Sequence, residues 1–138
     1  MGQLTNRAAR LFRRLADHRL ERLGLSAGYL PVLTALMASD ALSQKALTEH
    51  AGIEQPTMAA TLSRMERDGI IMRHPDPRDG RSSLFSLAPA TRGKVPEIQA
   101  VIDGMSNDAL TGLTEEQRQA ARRVLEGLIA ALEKALRE

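Results

Sequence analysis

Most of the chain places its hydrophobic residues at helical spacing, and a stretch near the middle does not. The segment from Gln3 to Arg22 carries apolar residues every three or four positions, which predicts an amphipathic helix ended by Gly24. A second helix is expected to begin with Ser26 as its cap and to run to about Ala38. The next apolar pair, 41–42, is too short to assign and could join a later strand.

Two helices follow in close succession. Ser43 is expected to cap the short helix "QKALTEHA", which stops at Gly52. Three residues later "QPTMAATLSRMERDG" begins, and helical spacing puts Met58, Leu62 and Met65 on its buried side. The tight link between these helices is typical of a helix-turn-helix.

A β-hairpin is predicted directly after these helices. "IIMRH" and "SSLFSL" read as strands, and a long loop rich in Pro, Asp and Gly separates them. Leu84 and Phe85 are adjacent apolar residues, so the second strand does not alternate cleanly and a small twisted ribbon is expected.

The C-terminal third is predicted to be helical. A first segment is interrupted by Gly93, Pro96 and Gly104, where a bend is expected. The last helix opens with a capping box, Thr114 to Gln117, and continues with a wide apolar stripe. This stripe and that of the first helix exceed what a domain of this size needs to cover itself. We expect them to pack between two copies of the chain, with packing onto the chain's own helices as the alternative.

This element order predicts a mainly α fold with a small β-hairpin, a winged helix-turn-helix flanked by dimerisation helices. The DNA-binding unit is expected to span residues 26–88, and the helical dimerisation region residues 1–25 and 89–138.

Composition narrows the function classes. The chain has no cysteine, which excludes disulfides, thiolate nucleophiles and cysteine-ligated zinc. Its basic residues are nearly all Arg, the side chain suited to phosphates and base edges, although a bias toward Arg on solvated surfaces would look the same. No apolar run is long enough for a membrane span and no export signal is evident, so a cytoplasmic protein is expected.

The outward face of the fourth helix is polar and uncluttered, as close approach to bases requires. A Gln side chain can bond an adenine edge, and small or hydroxylated side chains fit beside bases and phosphates. The alternative is an ordinary solvent-facing helix surface. The candidate DNA contacts on this helix are Gln55, Pro56, Thr57, Thr61 and Arg64.

The hairpin tip supplies a second group of candidates. Arg81 is expected to enter the minor groove, which is narrow and negative, with Asp79 holding its guanidinium in an ion pair. Arg73 and Arg78 are expected to face phosphates. The alternative is a solubilising turn, although a plain turn needs no flanking arginines.

The stretch "ALTEHAGIEQPTMAATLSRMERDGIIMRHPDPRDGRSSLFSLAPATRGK", residues 46–94, strongly resembles the MarR family of transcription regulators. The segment "GIEQPTM" is closest to its SlyA-like branch. The resemblance implies a homodimer on double-stranded, pseudo-palindromic operator DNA, with the wing aspartate and arginine, Asp79 and Arg81, at the minor groove. Members often carry an Arg near the position of Ala59 and Ala60 in this chain, so we expect base readout to depend more on Gln55, Thr57 and the wing, with looser specificity.

The resemblance also implies a repressor released by a small aromatic or phenolic ligand. Candidates for lining its pocket are Phe12, Arg14, Tyr29 and Leu33.

Other functions find little support. The histidines show no metal-ligand spacing, and no catalytic motif occurs, so no metal, cofactor or enzymatic activity is expected. The Arg-rich first helix could lie on a membrane surface, but it lacks Trp and carries acidic residues. Two other classes stay open: an architectural DNA-binding protein with little sequence preference, and an interaction module that uses the winged fold without DNA.

Overall fold

A computed structural model describes residues 1–138, which form a mostly helical chain with one small sheet. Residues 1–103 and 104–138 are two compact units. The helices are α1 (Gly2–Leu20), α2 (Leu30–Ala38), α3 (Gln44–Ala51), α4 (Gln55–Arg67), α5 (Pro89–Arg92), α6 (Val95–Ala109) and α7 (Glu115–Arg137), and the strands are β1 (Leu42–Ser43), β2 (Ile71–Asp76) and β3 (Asp79–Leu87). The predicted fold class is confirmed.

The connection between α1 and α2 differs from the prediction at Ser26. Its side chain makes no capping hydrogen bond, and a short 3₁₀ turn, Ala27–Tyr29, precedes α2. The backbone N–H of Ala27 donates instead to Asp17 Oδ1 on α1, at 2.7 Å. Because a carboxylate from another helix satisfies an amide at the start of this turn, the hydroxyl of Ser26 is not required as the cap.

The predicted helix-turn-helix is confirmed in α3 and α4. Ser43 Oγ accepts the backbone N–H of Ala46 at 3.1 Å and so caps α3. Gly52 ends α3 with a φ of +64°, a conformation that glycine adopts without steric strain. Pro56 lies in the first turn of α4, where its missing N–H leaves no intrahelical bond unmade.

The sheet has the strand order β1-β3-β2, with both pairings antiparallel. The apolar residue that the sequence left unassigned, Leu42, pairs with Phe85. Strand β3 is therefore central, and its last three residues, Phe85, Ser86 and Leu87, are all buried. This central position explains why its apolar residues do not alternate.

The prediction of a long loop in the hairpin is wrong. Strand β2 continues to Asp76 and β3 begins at Asp79, so only Pro77 and Arg78 form the tip. The pairing register shifts between Pro75 and Asp76, which leaves extra residues on β3 as a bulge. Asp79, Gly80 and Arg81, predicted to lie in the loop, thus belong to strand β3.

The core of residues 1–103 is aliphatic, as the scarcity of aromatic residues requires. The stripe predicted for α4, Met58, Leu62 and Met65, is fully buried. Other fully buried side chains come from α1, α2, α3, β3 and α6: Leu20, Val32, Leu33, Leu36, Leu47, Phe85, Leu87 and Ile98. This packing fixes α4 against the rest of its unit.

The chain from residue 89 onward is mostly helical, with breaks at Gly93 and Lys94 and at residues 110–114. Pro96 and Gly104 lie inside the continuous helix α6, so only the first of the three expected interruptions ends a helix. The predicted capping box of α7, Thr114 to Gln117, is confirmed. None of the helices has the length and apolar character needed to cross a membrane.

Candidate nucleic-acid interface

Helix α4 presents a polar outer face with little bulk. Gln55, Pro56, Thr57 and Arg64 are exposed there, where the sequence placed them. Two further exposed residues, Ser63 and Arg67, extend this face toward the end of the helix and were not predicted. Their positions follow from continuing the helical spacing past Ala60. The whole face offers amide, hydroxyl and guanidinium groups to a ligand.

Thr61, predicted to be a DNA contact on this face, does not lie on it. Its side chain is buried, with 4% of its surface accessible. Its hydroxyl donates to the backbone carbonyl oxygen of Thr57 at 2.9 Å, one turn earlier. A threonine in a helix can satisfy its hydroxyl in this way and turn its methyl group inward, so it can occupy a position in the core.

The hairpin of β2 and β3 forms the wing. Two aspartates shape its tip by accepting hydrogen bonds from backbone N–H groups. Asp76 Oδ1 accepts the N–H of Arg78 at 2.9 Å, and Asp79 Oδ1 accepts the N–H of Arg81 at 3.0 Å. The expected ion pair between Asp79 and the Arg81 guanidinium is therefore wrong. Aspartate often bonds an amide two residues ahead, and this local bond forms because it needs no ordering of a long side chain.

The two tip arginines project from this frame without ionic partners. Arg78 and Arg81 are exposed, and neither guanidinium forms an ion pair. Arg81 lies in the bulge of β3, a feature that redirects a side chain out of the regular ladder. Two exposed positive charges on a narrow hairpin suit a groove lined by phosphates.

Arg73 has a different environment from the tip arginines. Its guanidinium pairs with Glu66 on α4 at 3.1 Å and lies 4.9 Å from the centre of the Phe85 ring. Arg73, which belongs to β2, therefore links α4 to β3. Its expected role at a phosphate stays a prediction, and about half of the side chain remains exposed for such a contact. No sequence pattern indicated Glu66 or Phe85 as its partners.

In addition to the Arg73–Glu66 pair, a group of hydrogen bonds anchors the C-terminal end of α4. The hydroxyl of Tyr29 donates to Asp68 Oδ2 at 2.7 Å, and Arg67 Nε lies 3.1 Å from Asp68 Oδ1. These two hydrogen bonds, Tyr29's first, hold the pKa of Asp68 below its ordinary value of 3.8. Burial, and then the bond to Asp68, raises the pKa of Tyr29 above 10.0. The pair ties α4 to the turn that follows α1.

The four residues predicted to line a ligand pocket do not surround one cavity. Phe12 and Arg14 are exposed on α1, and Arg14 lines an open cleft with Leu11, Leu15, Asp17 and His18. Tyr29 and Leu33 belong to the core, and Leu33 has no accessible surface. The sequence alone could not distinguish residues of a ligand pocket from residues of the core, because both occur at the same apolar spacing.

Known proteins resemble both the motif and the whole fold. The sequence profile described as the MarR family matches residues 23–82. The crystal structure of transcriptional regulator PA3341 is 32% identical with a TM-score of 0.80, over 96% of this chain and 98% of that one. Two more distant structures show the same fold. A mutant MarR from E. coli complexed with operator DNA is 18% identical, with a TM-score of 0.84 over 92% of this chain and 91% of that one.

The second is Bordetella bronchiseptica BpsR, described by its regulation of DNA binding by 6-hydroxynicotinic acid. It is 24% identical with a TM-score of 0.83, over 93% of this chain and 91% of its own. The profile match covers the helix-turn-helix, β2 and the start of β3, and the 32% identical relative extends over nearly the full length. The chain therefore belongs to the MarR family of transcriptional regulators and has its winged-helix, DNA-binding fold.

Proposed function

We propose that this chain is a repressor that binds a pseudo-palindromic operator as a homodimer. One observation carries the proposal: an exposed polar helix face, starting at Gln55, lies on the same winged unit as two exposed arginines without ionic partners, Arg78 and Arg81. In this fold the helix enters the major groove N-terminal end first. The wing then reaches the neighbouring minor groove, where Arg is attracted by the negative potential.

The uncovered apolar surfaces at both ends of the chain support a dimer. Five apolar side chains on α7 are 52–87% exposed, and three on α1 are 47–71% exposed. Large contiguous apolar surface on a protein usually marks an interface. The residues concerned are Leu4, Leu11 and Phe12 on α1, and Val124, Leu125, Ile129, Leu132 and Leu136 on α7.

The proposal includes release of the operator by a small aromatic acid. BpsR, which shares the fold, is described as regulated by 6-hydroxynicotinic acid. A ligand of this kind acts by binding more tightly to a form whose recognition helices no longer match the operator spacing. Of the predicted pocket residues, Phe12 and Arg14 are accessible for such binding in the single chain. Membership of the SlyA-like branch rests on "GIEQPTM" alone and stays a prediction.

The proposal is tested by selecting bound sequences from a random duplex pool, with and without 6-hydroxynicotinic acid. We expect two inverted half-sites with centres about 34–36 Å apart, one turn of DNA. We expect the acid to reduce recovery of these sequences. Recovery of duplex without any common sequence favours the architectural DNA-binding protein, and no recovery at low salt favours the interaction module.

The wing is tested separately by Arg81→Ala. Loss of one phosphate-attracted cation should weaken binding to all duplexes and lower the salt slope by about 1. The matched control is Arg22→Ala, which removes an exposed arginine between α1 and α2. Equal affinity and slope for Arg81→Ala and the unsubstituted protein contradict the role of the wing.

A further inference from the structure

A pair of glutamines bridges the start of α3 and the start of α4. Gln44 is the first residue of α3 and Gln55 the first residue of α4. Gln44 Nε2 donates a hydrogen bond to Gln55 Oε1 at 3.3 Å. Gln55 is exposed and Gln44 half-buried, so the pair lies at the surface where a ligand of the helix-turn-helix would meet it. Nothing in the hydrophobic core requires two amides at these positions.

The backbone beneath Gln44 is held on both sides. Ser43 caps α3 immediately before it, through the 3.1 Å bond to Ala46 N–H. The hydroxyl of Thr48 donates to the carbonyl oxygen of Gln44 at 2.8 Å. The Gln44 side chain therefore extends from a fixed base. On the other helix Pro56 restricts the backbone of Gln55, since the residue before a proline has fewer allowed conformations.

The hydrogen bond restricts how Gln55 can present its amide. A glutamine oxygen has two lone pairs and its nitrogen two N–H groups. Gln44 occupies one lone pair of Oε1, which leaves one acceptor site on Oε1 and the N–H donors of Nε2 for other partners. Adenine in the major groove needs one acceptor and one donor side by side, for its N6 amino group and its N7. An amide held in one orientation meets this requirement without first losing side-chain rotamers.

We propose that Gln44 is a specificity-determining residue that acts through Gln55. Gln44 fixes the Gln55 amide so that Gln55 reads one A·T pair of the operator, while Gln44 itself contacts no base. This inference rests on the proposed function, because it concerns how that operator is read. It makes Gln44 a positioning residue, distinguishable from a residue that merely supports the fold, because its loss changes base preference at one position.

The test measures base preference with the full-length protein and its variants Gln44→Ala, Gln55→Ala and the double variant. Each is used to select bound sequences from the same random duplex pool. Gln55→Ala should lower discrimination at one operator position roughly 5- to 100-fold. Gln44→Ala should lower it at the same position by a smaller factor, about 2- to 10-fold, since the freed amide must be ordered on binding. The double variant should match Gln55→Ala.

The neighbouring Lys45→Ala is the matched control, because Lys45 is exposed and adjacent but makes no bond to Gln55. It should weaken all sequences alike and leave base preference unchanged. The inference is overturned if Gln44→Ala keeps the original preference while Gln55→Ala loses it. It is also overturned if Gln44→Ala changes a different position, or adds to the effect of Gln55→Ala. If the unsubstituted protein selects no common sequence, the proposed function itself fails, and the inference with it.

Discussion

Helices α4 and α7 are both amphipathic, but they differ in what covers their apolar sides. Four residues of α4, Met58, Thr61, Leu62 and Met65, are buried. Helix α7 is longer, at 23 residues, and none of its residues is buried. A helix within a protein gains most of its stability from tertiary packing of its apolar face. The comparison shows that the chain itself covers the apolar side of α4, whereas the apolar side of α7 stays exposed and would be covered in the proposed dimer.

The largest effect is expected on dimerisation, when the apolar stripe of α7 is altered. Leu132→Glu places a carboxylate in the apolar stripe, and burying it unpaired between two copies costs about 3–5 kcal/mol. We expect the dimer to dissociate at concentrations where the unsubstituted protein remains paired. Sedimentation velocity measures this directly.

The control for this experiment is Ala130→Glu, since Ala130 is exposed on the opposite side of α7. It adds the same charge outside the stripe and should leave association unchanged. A Leu132→Glu protein that stays dimeric contradicts the assignment of α7 to the interface.

An effect of comparable size is expected on the free energy of unfolding when a buried side chain of α4 is shortened. Leu62→Ala removes a fully buried side chain and should lower the free energy of unfolding by about 2–5 kcal/mol. Ser63→Ala, one residue along and exposed, should change it by less than about 0.5 kcal/mol. Urea denaturation followed by circular dichroism gives both values. Similar losses for the two variants would mean that the buried side of α4 has been misassigned.

A smaller effect is expected from the bond between α4 and the wing. Glu66→Gln removes the negative partner of Arg73, a half-exposed pair that should contribute about 0.2–1 kcal/mol in low salt and less in high salt. Glu133→Gln on α7 is the matched substitution, because that carboxylate is exposed and forms no ion pair. Thermal unfolding at two salt concentrations compares them. Identical behaviour of the two variants would show that the Glu66 pair does not stabilise the wing.

The smallest effect concerns pH and the anchor at the end of α4. Asp68 has a lowered pKa, so its contribution to stability is present above 3.8 and is lost as pH falls through its folded-state pKa. Tyr29 has a raised pKa, so its contribution is present below 10.0 and is lost as pH rises through its folded-state pKa. Tyr29→Phe should therefore destabilise the protein most between these limits.

Urea unfolding across the pH range measures this difference. Asp68→Asn serves as the control, because it removes the titrating carboxylate and should flatten the acidic side of the profile. A Tyr29→Phe protein whose deficit is the same in strong acid as at neutral pH contradicts the role given to the pair.

The sequence predicted those parts of the fold that depend on local patterns. The buried stripe of α4, the Ser43 cap and the stop at Gly52 all follow from spacing and from conformational preferences of single residues. The failure at Ser26 has a different origin, since its role is taken by Asp17 from another helix. No local pattern records an acceptor that arrives through tertiary packing.

The candidate site was predicted less completely, for the same reason. Residue type and spacing placed Gln55 and Arg81 on exposed surface, but polarity alone misplaced Thr61, whose hydroxyl is satisfied by its own helix. Glu66 and Phe85 were missed because they meet Arg73 only after α4, β2 and β3 have packed. The bond from Gln44 to Gln55 likewise depends on the geometry of the folded turn.

The sheet order has a consequence for crowding on DNA. Both outer strands are poor templates for a further strand: β1 has two residues, and β2 contains Pro75 beside its register shift. Proline offers no N–H, and a shifted register disrupts the row of donors and acceptors that strand addition needs. If copies of the chain bind DNA side by side, as the proposed function implies, their wings are protected from edge-to-edge pairing.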